Sequence, residues 1–360
     1  MASIDKIFGD VRSILEERPS REGWEALCGH LDLCIDDALE QEVVPYCLDK
    51  LKRWPSELRA TPKEWCIAAV TEGERSAKFE VATTLRFYCG STAASWALKG
   101  ADGGDKVARF LGDYQNIDRV ELKGHPLGPQ GARQLFLSPD LERVTHLDMR
   151  YTQLGDEGAR QLAACPHLGA VKTLRLRRAK IKSKGGAALV DAKSLSNLDR
   201  FGAGYNKLGK GNWKKIGQSD LLAEDISYLD MGYNNAGQGA LDAVLTPSRT
   251  ASLRFLNIRN CEIDYNDFIR FMGASDFSNL ERMNQWSGWG DCPKASVMLE
   301  HLRLPRLEYL YLSRPVLDVD GLDDLEALAE AMREHNPAFV GFVIHKEFSK
   351  EPLNLFWEQD

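Results

Sequence analysis

No run of about 18 apolar residues occurs in this 360-residue chain, so a membrane-spanning helix is not expected. The opening Met1-Ala2-Ser3-Ile4-Asp5-Lys6 lacks the basic and apolar regions of a secretory leader. Eight cysteines (28, 34, 47, 66, 89, 165, 261 and 292) show no paired spacing, and no Asn-x-Ser/Thr acceptor occurs. Both absences suit a reducing, cytoplasmic setting. Catalytic signatures are equally scarce. There is no Gly-x-x-x-x-Gly-Lys-Ser/Thr phosphate cradle, and Gly202-Ala203-Gly204 does not open a helix, so it does not read as a dinucleotide fingerprint. The seven histidines include no His-x-x-x-His pair. Cys28-x-His30-x-x-x-Cys34 with Cys47 has the residue types of a zinc site, yet the spacing also fits buried cysteines on helical faces, and that reading is preferred. Cys292 and His301 lie near one another in sequence, but nearness in sequence does not bring side chains together. The expectation is a chain that is not an enzyme and carries neither metal nor cofactor.

Charge is unevenly placed. The net charge of −7 argues against general nucleic-acid binding, but between Val171 and Lys215 thirteen Lys or Arg face two Asp. That segment carries +11, which leaves −18 for the rest: a basic island in an acidic protein.

What the chain has in abundance is repetition. Val144, Leu147, Met149, Thr152 and Leu154 are followed by Gly155-x-x-Gly158-Ala159-x-x-Leu162, a period-two stretch and then helical spacing, as a short strand, a turn and a helix would require. Equivalent units begin at Ile117, Val171, Leu198, Ile226, Leu253, Leu280 and Leu307, in steps of 27 residues with a single step of 28. A shortened transitional unit is expected at Ala93-x-x-Trp96-x-Leu98. The Leu280 unit degenerates at Asn284-Gln285-Trp286-Ser287-Gly288-Trp289-Gly290-Asp291-Cys292-Pro293. A last strand is read at Phe339-x-x-Phe342-x-Ile344.

These apolar triplets, the Asn or Cys at the turn (Asn206, Asn234, Cys261) and the Leu-Gly-x-x-Gly-Ala phrase resemble the leucine-rich repeat family in its longer, ribonuclease-inhibitor-like subtype. The resemblance implies an α/β solenoid: a horseshoe with a parallel concave sheet and convex helices. Residues 91–346 are assigned to the repeats, 1–90 to a helical N-terminal capping or docking module, and 347–360 to a C-terminal tail or cap.

Within 1–90, Ile4, Ile7, Phe8, Val11, Ile14 and Leu15 predict one helical face closed by Arg18-Pro19. Ser20 predicts the cap of a second helix carrying Trp24, Leu27 and Leu31. A third pattern runs from Leu33 to Lys52 with an interruption at Pro45. Covering the open apolar end of the first repeat is the simplest role for this segment; independent docking is the alternative.

Side chains beside and between the apolar strand positions point onto the sheet face. Arg150, Arg175, Arg177, Arg178 and Arg200 then form a guanidinium cluster. Beside it Gly202, Gly204 and Gly232 are expected to leave the sheet bare between Tyr205, Tyr228 and Tyr233, with Trp286, Trp289, Tyr309 and Tyr311 farther along. Arg, Tyr and Trp dominate binding hot spots, and guanidinium forks suit carboxylates or phosphates. The plainer alternative is a solvated polar face on which Arg175 and Arg177 pair with Asp148 or Asp230. The functional expectation is a protein-protein interaction module or adaptor that binds an acidic partner. Regulation of a small GTPase, by analogy with the Ran GTPase-activating proteins that look similar in fold, and nucleic-acid binding through the basic island are the alternatives. Inhibition of a basic nuclease fits poorly, because it calls for an acidic face.

Overall fold

The computed structural model describes residues 4–34, 36–88, 98–263, 273, 275–284, 304–313, 329–330, 332–334 and 336–345. Ala93, Trp96, Trp286, Trp289, Cys89, Cys292, His301 and the tail from 346 lie outside the described residues. The chain divides into two compact units, Met1–Ile181 with Asp191–Leu195, and Lys182–Val190 with Ser196–Asp360.

The first unit begins with helices. Ile7, Val11 and Leu15 form the buried stripe of α1 (Ile4–Glu16), which ends before Arg18-Pro19. Ser20 accepts a hydrogen bond on Oγ from the Gly23 N–H at 3.0 Å and so caps α2 (Arg21–Leu31), whose Trp24, Leu27, Cys28 and Leu31 are buried. The pattern from 33 to 52 is broken into α3 (Asp36–Ala38), a π-helical turn (Leu39–Val43) and α4 (Val44–Leu51). Pro45 falls in the first turn of α4, where a missing N–H costs little. After α5 (Lys63–Cys66) comes a 3-10 turn, Ala77–Val81, whose Phe79 meets Trp65 at 5.7 Å, Phe110 at 6.0 Å and Tyr114 at 5.1 Å, all edge-on. These rings seat the turn on α6 (Gly100–Asp113).

Four parallel strands follow in chain order: β1 (Thr84–Arg86), β2 (Arg119–Glu121), β3 (His146–Asp148) and β4 (Thr173–Arg175). Thr84 lies beside Arg119, Arg119 beside His146 and His146 beside Thr173. The sheet therefore starts earlier than the Ala93 unit. Thr83-Thr84-Leu85-Arg86-Phe87 has the same pattern as Lys172-Thr173-Leu174-Arg175-Leu176, but 35 residues separate the paired positions Thr84 and Arg119, and a fixed step of 27 passes over it. Residues 59–61 cover the outer edge of β1. The Thr61 N–H donates to the Thr84 carbonyl at 2.9 Å, the Thr84 N–H to the Arg59 carbonyl at 3.1 Å, and the Arg86 N–H to Thr61 Oγ1 at 3.0 Å. Helices α7 (Gly128–Leu135) and α8 (Gly155–Ala164) carry the Leu-Gly-x-x-Gly-Ala phrase. Its first glycine bends the chain, with φ of 60° at Gly128 and 65° at Gly155; its second lets helices approach, since a Cβ on Gly131 would stand 2.5 Å from the Gly100 carbonyl oxygen.

In the second unit the helices are α9 (Ser183–Val190), α10 (Lys210–Gln218), α11 (Gln238–Val244) and α12 (Pro247–Ser252). Its strands, again parallel and in chain order, are β5 (Arg200–Gly202), β6 (Tyr228–Asp230), β7 (Phe255–Asn257), β8 (Arg282–Asn284), β9 (Tyr309–Ser313) and β10 (Gly341–His345). Phe201, Leu229, Leu256, Met283 and Leu310 are buried. Polar side chains close the turns. Asn206 Nδ2 donates to the Ala203 carbonyl at 2.9 Å, and Asn234 Nδ2 to the Met231 carbonyl at 3.0 Å and, across to the preceding repeat, to the Ala203 carbonyl at 2.8 Å. Arg249 of α12 is 3% exposed and donates to the carbonyls of Gly217 (2.8 Å), Leu222 (3.1 Å), Ala223 (3.2 Å) and Val244 (3.3 Å) while pairing with Glu224 at 2.8 Å. One guanidinium thus satisfies carbonyls that helix ends and turns leave over.

Candidate partner-binding face

Strand alternation builds the face of the second unit. Because Phe201, Leu229, Leu256, Met283 and Leu310 are buried, the residues before them line the opposite side, each beside the next: Arg200, Tyr228, Phe255, Arg282 and Tyr309. The rings of Tyr228 and Phe255 stack at 4.4 Å and 15°, and the Arg200 guanidinium lies 5.0 Å above the Tyr228 ring. A second row follows the strand ends. Tyr205 and Tyr233 stack at 3.8 Å and 21°, with the Arg259 guanidinium 5.1 Å from the Tyr233 ring. Stacked pairs and cation-π contacts of this kind each contribute about 0.5–1.5 kcal/mol. Both tyrosines sit in the left-handed region, at φ of 54° and 59°, where the equivalent residue of the first unit's β2 repeat is Gly124 at φ 86°. Large aromatic side chains are kept where glycine would be easier for the backbone.

At Gly204 and Gly232 the glycine floor is not bare, which corrects the sequence expectation there. A Cβ at Gly204 would stand 2.5 Å from Asp230 Oδ1, and one at Gly232 would stand 2.8 Å from Asn257 Oδ1. The Asp230 carboxylate and the Asn257 carboxamide lie along the sheet in that space. Asp230 Oδ1 accepts from the Gly232 N–H at 3.1 Å and from Asn257 Nδ2 at 2.8 Å, and Asn257 Oδ1 accepts from the Arg259 N–H at 3.1 Å. Side chains here fasten the backbone two residues on.

The first unit uses the same device with charge. Asp148 Oδ1 accepts from the Arg150 N–H at 3.0 Å and from Arg150 Nε at 2.9 Å, and both residues are buried. Arg175 is buried as well, Arg177 is half-buried, and exposed Arg178 places its guanidinium 5.7 Å from the Tyr151 ring. Glu121 accepts from Arg86 Nε at 2.7 Å and from the Tyr88 hydroxyl at 2.6 Å. Burial pushes the Glu121 and Asp148 carboxyls up, but hydrogen bonds and the adjacent Arg86 and Arg150 outweigh it and hold both below the usual range. Burial, with Arg119 and Arg175 nearby, lowers His146 to about 3, so its ring is neutral where Nδ1 meets Arg119 at 3.1 Å.

The proposed contact residues are divided between the two units. Arg150, Arg175, Arg177 and Arg178 belong to the first unit; Arg200, Tyr205, Tyr228, Tyr233 and Tyr309 belong to the second. Tyr311 lies on β9 with its side chain outside the description, as Trp286 and Trp289 are entirely. Phe255, Arg259 and Arg282 complete the rows of the second unit. The signal that could have found them is position, since each occupies an equivalent place in its repeat.

Among the described residues no group of three or more His, Cys, Asp or Glu could hold a metal ion, and no helix is long and apolar enough to cross a membrane. No curated protein matches the chain. Residues 144–163, from just before β3 through most of α8, match the family model described as Leucine Rich repeat. That match, together with parallel strands alternating with helices, supports reading the chain as a leucine-rich-repeat protein.

Proposed function

We propose that the chain is a non-catalytic protein-protein interaction module, an adaptor in the cytoplasm that binds an acidic partner. The observation that carries the reading is the pair of rows in the second unit, where stacked aromatic rings alternate with guanidinium groups on one sheet face. Repeats bind partners in general through such faces, and Arg and Tyr are the side chains that supply binding energy there. Strand pairing at offsets of 27 and 28 residues supports the ribonuclease-inhibitor-like subtype and, with it, a horseshoe whose polar sheet face is concave. We assign 91–346 to the repeats and 347–360 to a tail or cap. Residues 1–90 are a cap rather than a docking domain, a choice supported by the hydrogen bonds of 59–61 along β1.

Affinity capture from native cytosol tests the reading, comparing wild type with Arg200→Glu/Tyr233→Ala and with Arg177→Glu/Arg178→Glu, each checked by circular dichroism. A folded variant should lose one partner selectively. If every captured protein is retained by both variants, these faces are not the site. Stacked aromatics beside arginines also suit single-stranded nucleic acid. That reading requires captured nucleic acid and an affinity that falls steeply with salt.

A further inference from the structure

We infer that the helix side of the second unit attaches the protein to an anionic lipid surface, through a ridge of lysines on α9, on α10 and in the turn that enters α10. The inference goes beyond the reading above, which concerns the opposite side of the same sheet. Phe201 of β5 points to the helices, where its ring lies 6.0 Å from that of buried Trp213 of α10. Its neighbour Arg200 therefore faces away from them.

Helices α9 and α10 hold Lys184, Lys210, Lys214 and Lys215 and no Asp or Glu. Lys207 stands in the turn before α10. Leu189 lies on the buried side of α9, and Trp213 and Ile216 on that of α10, whereas all five lysines are exposed. The backbone of Lys207 pairs with that of Lys182, and Asn212 Nδ2 donates to the Ser183 carbonyl at 2.7 Å, so the start of α10 is fastened beside the start of α9. Packed helices stand about 8–10 Å apart, and the turn from Lys210 to Lys214 rises about 6 Å. These spacings are close to the Debye length of about 8 Å at physiological salt, so the charges act together on an approaching surface. Lys210 pairs with Glu262 at 3.1 Å. Lys184, Lys207, Lys214 and Lys215 have no ion-pair partner among the described residues.

The residue types decide which kind of anion fits. The other exposed residues of the two helices are Ser183, Ala187, Gly211 and Gln218, so no ring, guanidinium or large apolar group stands exposed among the lysines. A protein interface is built on an apolar core that is poor in Lys. Single-stranded nucleic acid is held by bases stacked on rings, and a duplex is read by guanidinium forks. An anionic leaflet asks only for charge, and each lysine near it raises affinity about fivefold. Lipid on the helix side leaves the sheet side facing away from the bilayer, which gives an adaptor its two surfaces.

The test is sedimentation of the full chain with vesicles of three parts phosphatidylcholine to one part phosphatidylserine, against vesicles of phosphatidylcholine alone. The chain should pellet with the first and not with the second, and about 0.5 M salt should release it. Lys214→Glu/Lys215→Glu should weaken binding by at least about 25-fold, from two lysines at about fivefold each. Lys184→Gln/Lys207→Gln should weaken it by about 25-fold and serves if the charge reversal disturbs folding, as circular dichroism reports. Arg200→Glu/Tyr233→Ala, on the other side of the sheet, should bind vesicles as the wild type does. Equal sedimentation with neutral vesicles, no loss in either lysine variant, or an equal loss in the sheet-side variant overturns the inference. So does an oligonucleotide that displaces the vesicles at lower total phosphate and loses affinity in the same lysine variants.

Discussion

Gly204 and Asp230 share one side-chain space: the carboxylate of Asp230 lies across residue 204, with Oδ1 only 2.5 Å from where a Cβ would be, and is held there by the Gly232 N–H and Asn257. Glycine at 204 is a requirement set by an acid 26 residues later. Gly204→Ala should lower stability by about 1–3 kcal/mol, the usual range for overpacking. Adding Asp230→Ala should recover part of that loss, so urea denaturation of the two single variants and the double should be non-additive. Simple additivity would mean the two residues do not compete for the space.

Tyr233 provides a test of backbone cost. At φ 59° an L side chain is disfavoured and glycine is not. Tyr233→Gly should therefore be more stable than Tyr233→Ala by about 1 kcal/mol, the reverse of the order in an ordinary strand. Both should weaken partner binding alike, since both remove the ring stacked on Tyr205. Thermal denaturation measures the first difference and affinity capture the second.

Arg249 carries a structural load out of proportion to its place on a short helix. Replacing it with Met keeps much of the volume but leaves the carbonyls of Gly217, Leu222, Ala223 and Val244 without their donor. A loss of about 3 kcal/mol is expected. Hydrogen exchange should show the gain in opening confined to amides of the 210–255 region rather than spread over the chain.

His125 makes the first unit acid-sensitive. Burial lowers it to about 4, whereas an unfolded histidine titrates near 6.5. Between pH 6.5 and about 4 the unfolded chain binds a proton that the folded chain does not, so stability falls as pH falls through that window. The full effect is about 3 kcal/mol. His125→Asn, which installs the residue type found at the equivalent turn positions 206 and 234, should make the pH dependence shallower across this range while leaving stability above pH 7 little changed. An unchanged slope in pH-dependent urea denaturation would assign the sensitivity elsewhere, with His146 the next group to examine.

The repeat was legible because a strand buried on one side must place apolar residues at fixed intervals. Arg119, His146, Thr173, Arg200, Tyr228, Phe255, Arg282 and Tyr309 each open a strand, where the pattern puts them. β1 escaped because its connection to β2 is longer than the period, although Thr84-Leu85-Arg86 has the right residues. The face was harder to read. Sequence tells which residues share a side, but not that Asp230 lies down over Gly204 or that Asp148 holds Arg150 by both its backbone N–H and its guanidinium. Such choices depend on side-chain conformations set by neighbours one repeat away, and no local pattern encodes them.

The bonds from residues 59–61 to β1 have a consequence for how this molecule behaves in a crowd. A stack of parallel strands is a one-dimensional crystal, and any uncovered end is a growth face on which another copy can dock head to tail. Arg59 and Thr61 occupy that growth face with backbone groups of the chain itself and a side-chain hydroxyl. They act as a terminator, in the sense that a polymer chemist would use the word, and a fragment trimmed to begin at Thr84 would be a monomer looking for its next unit.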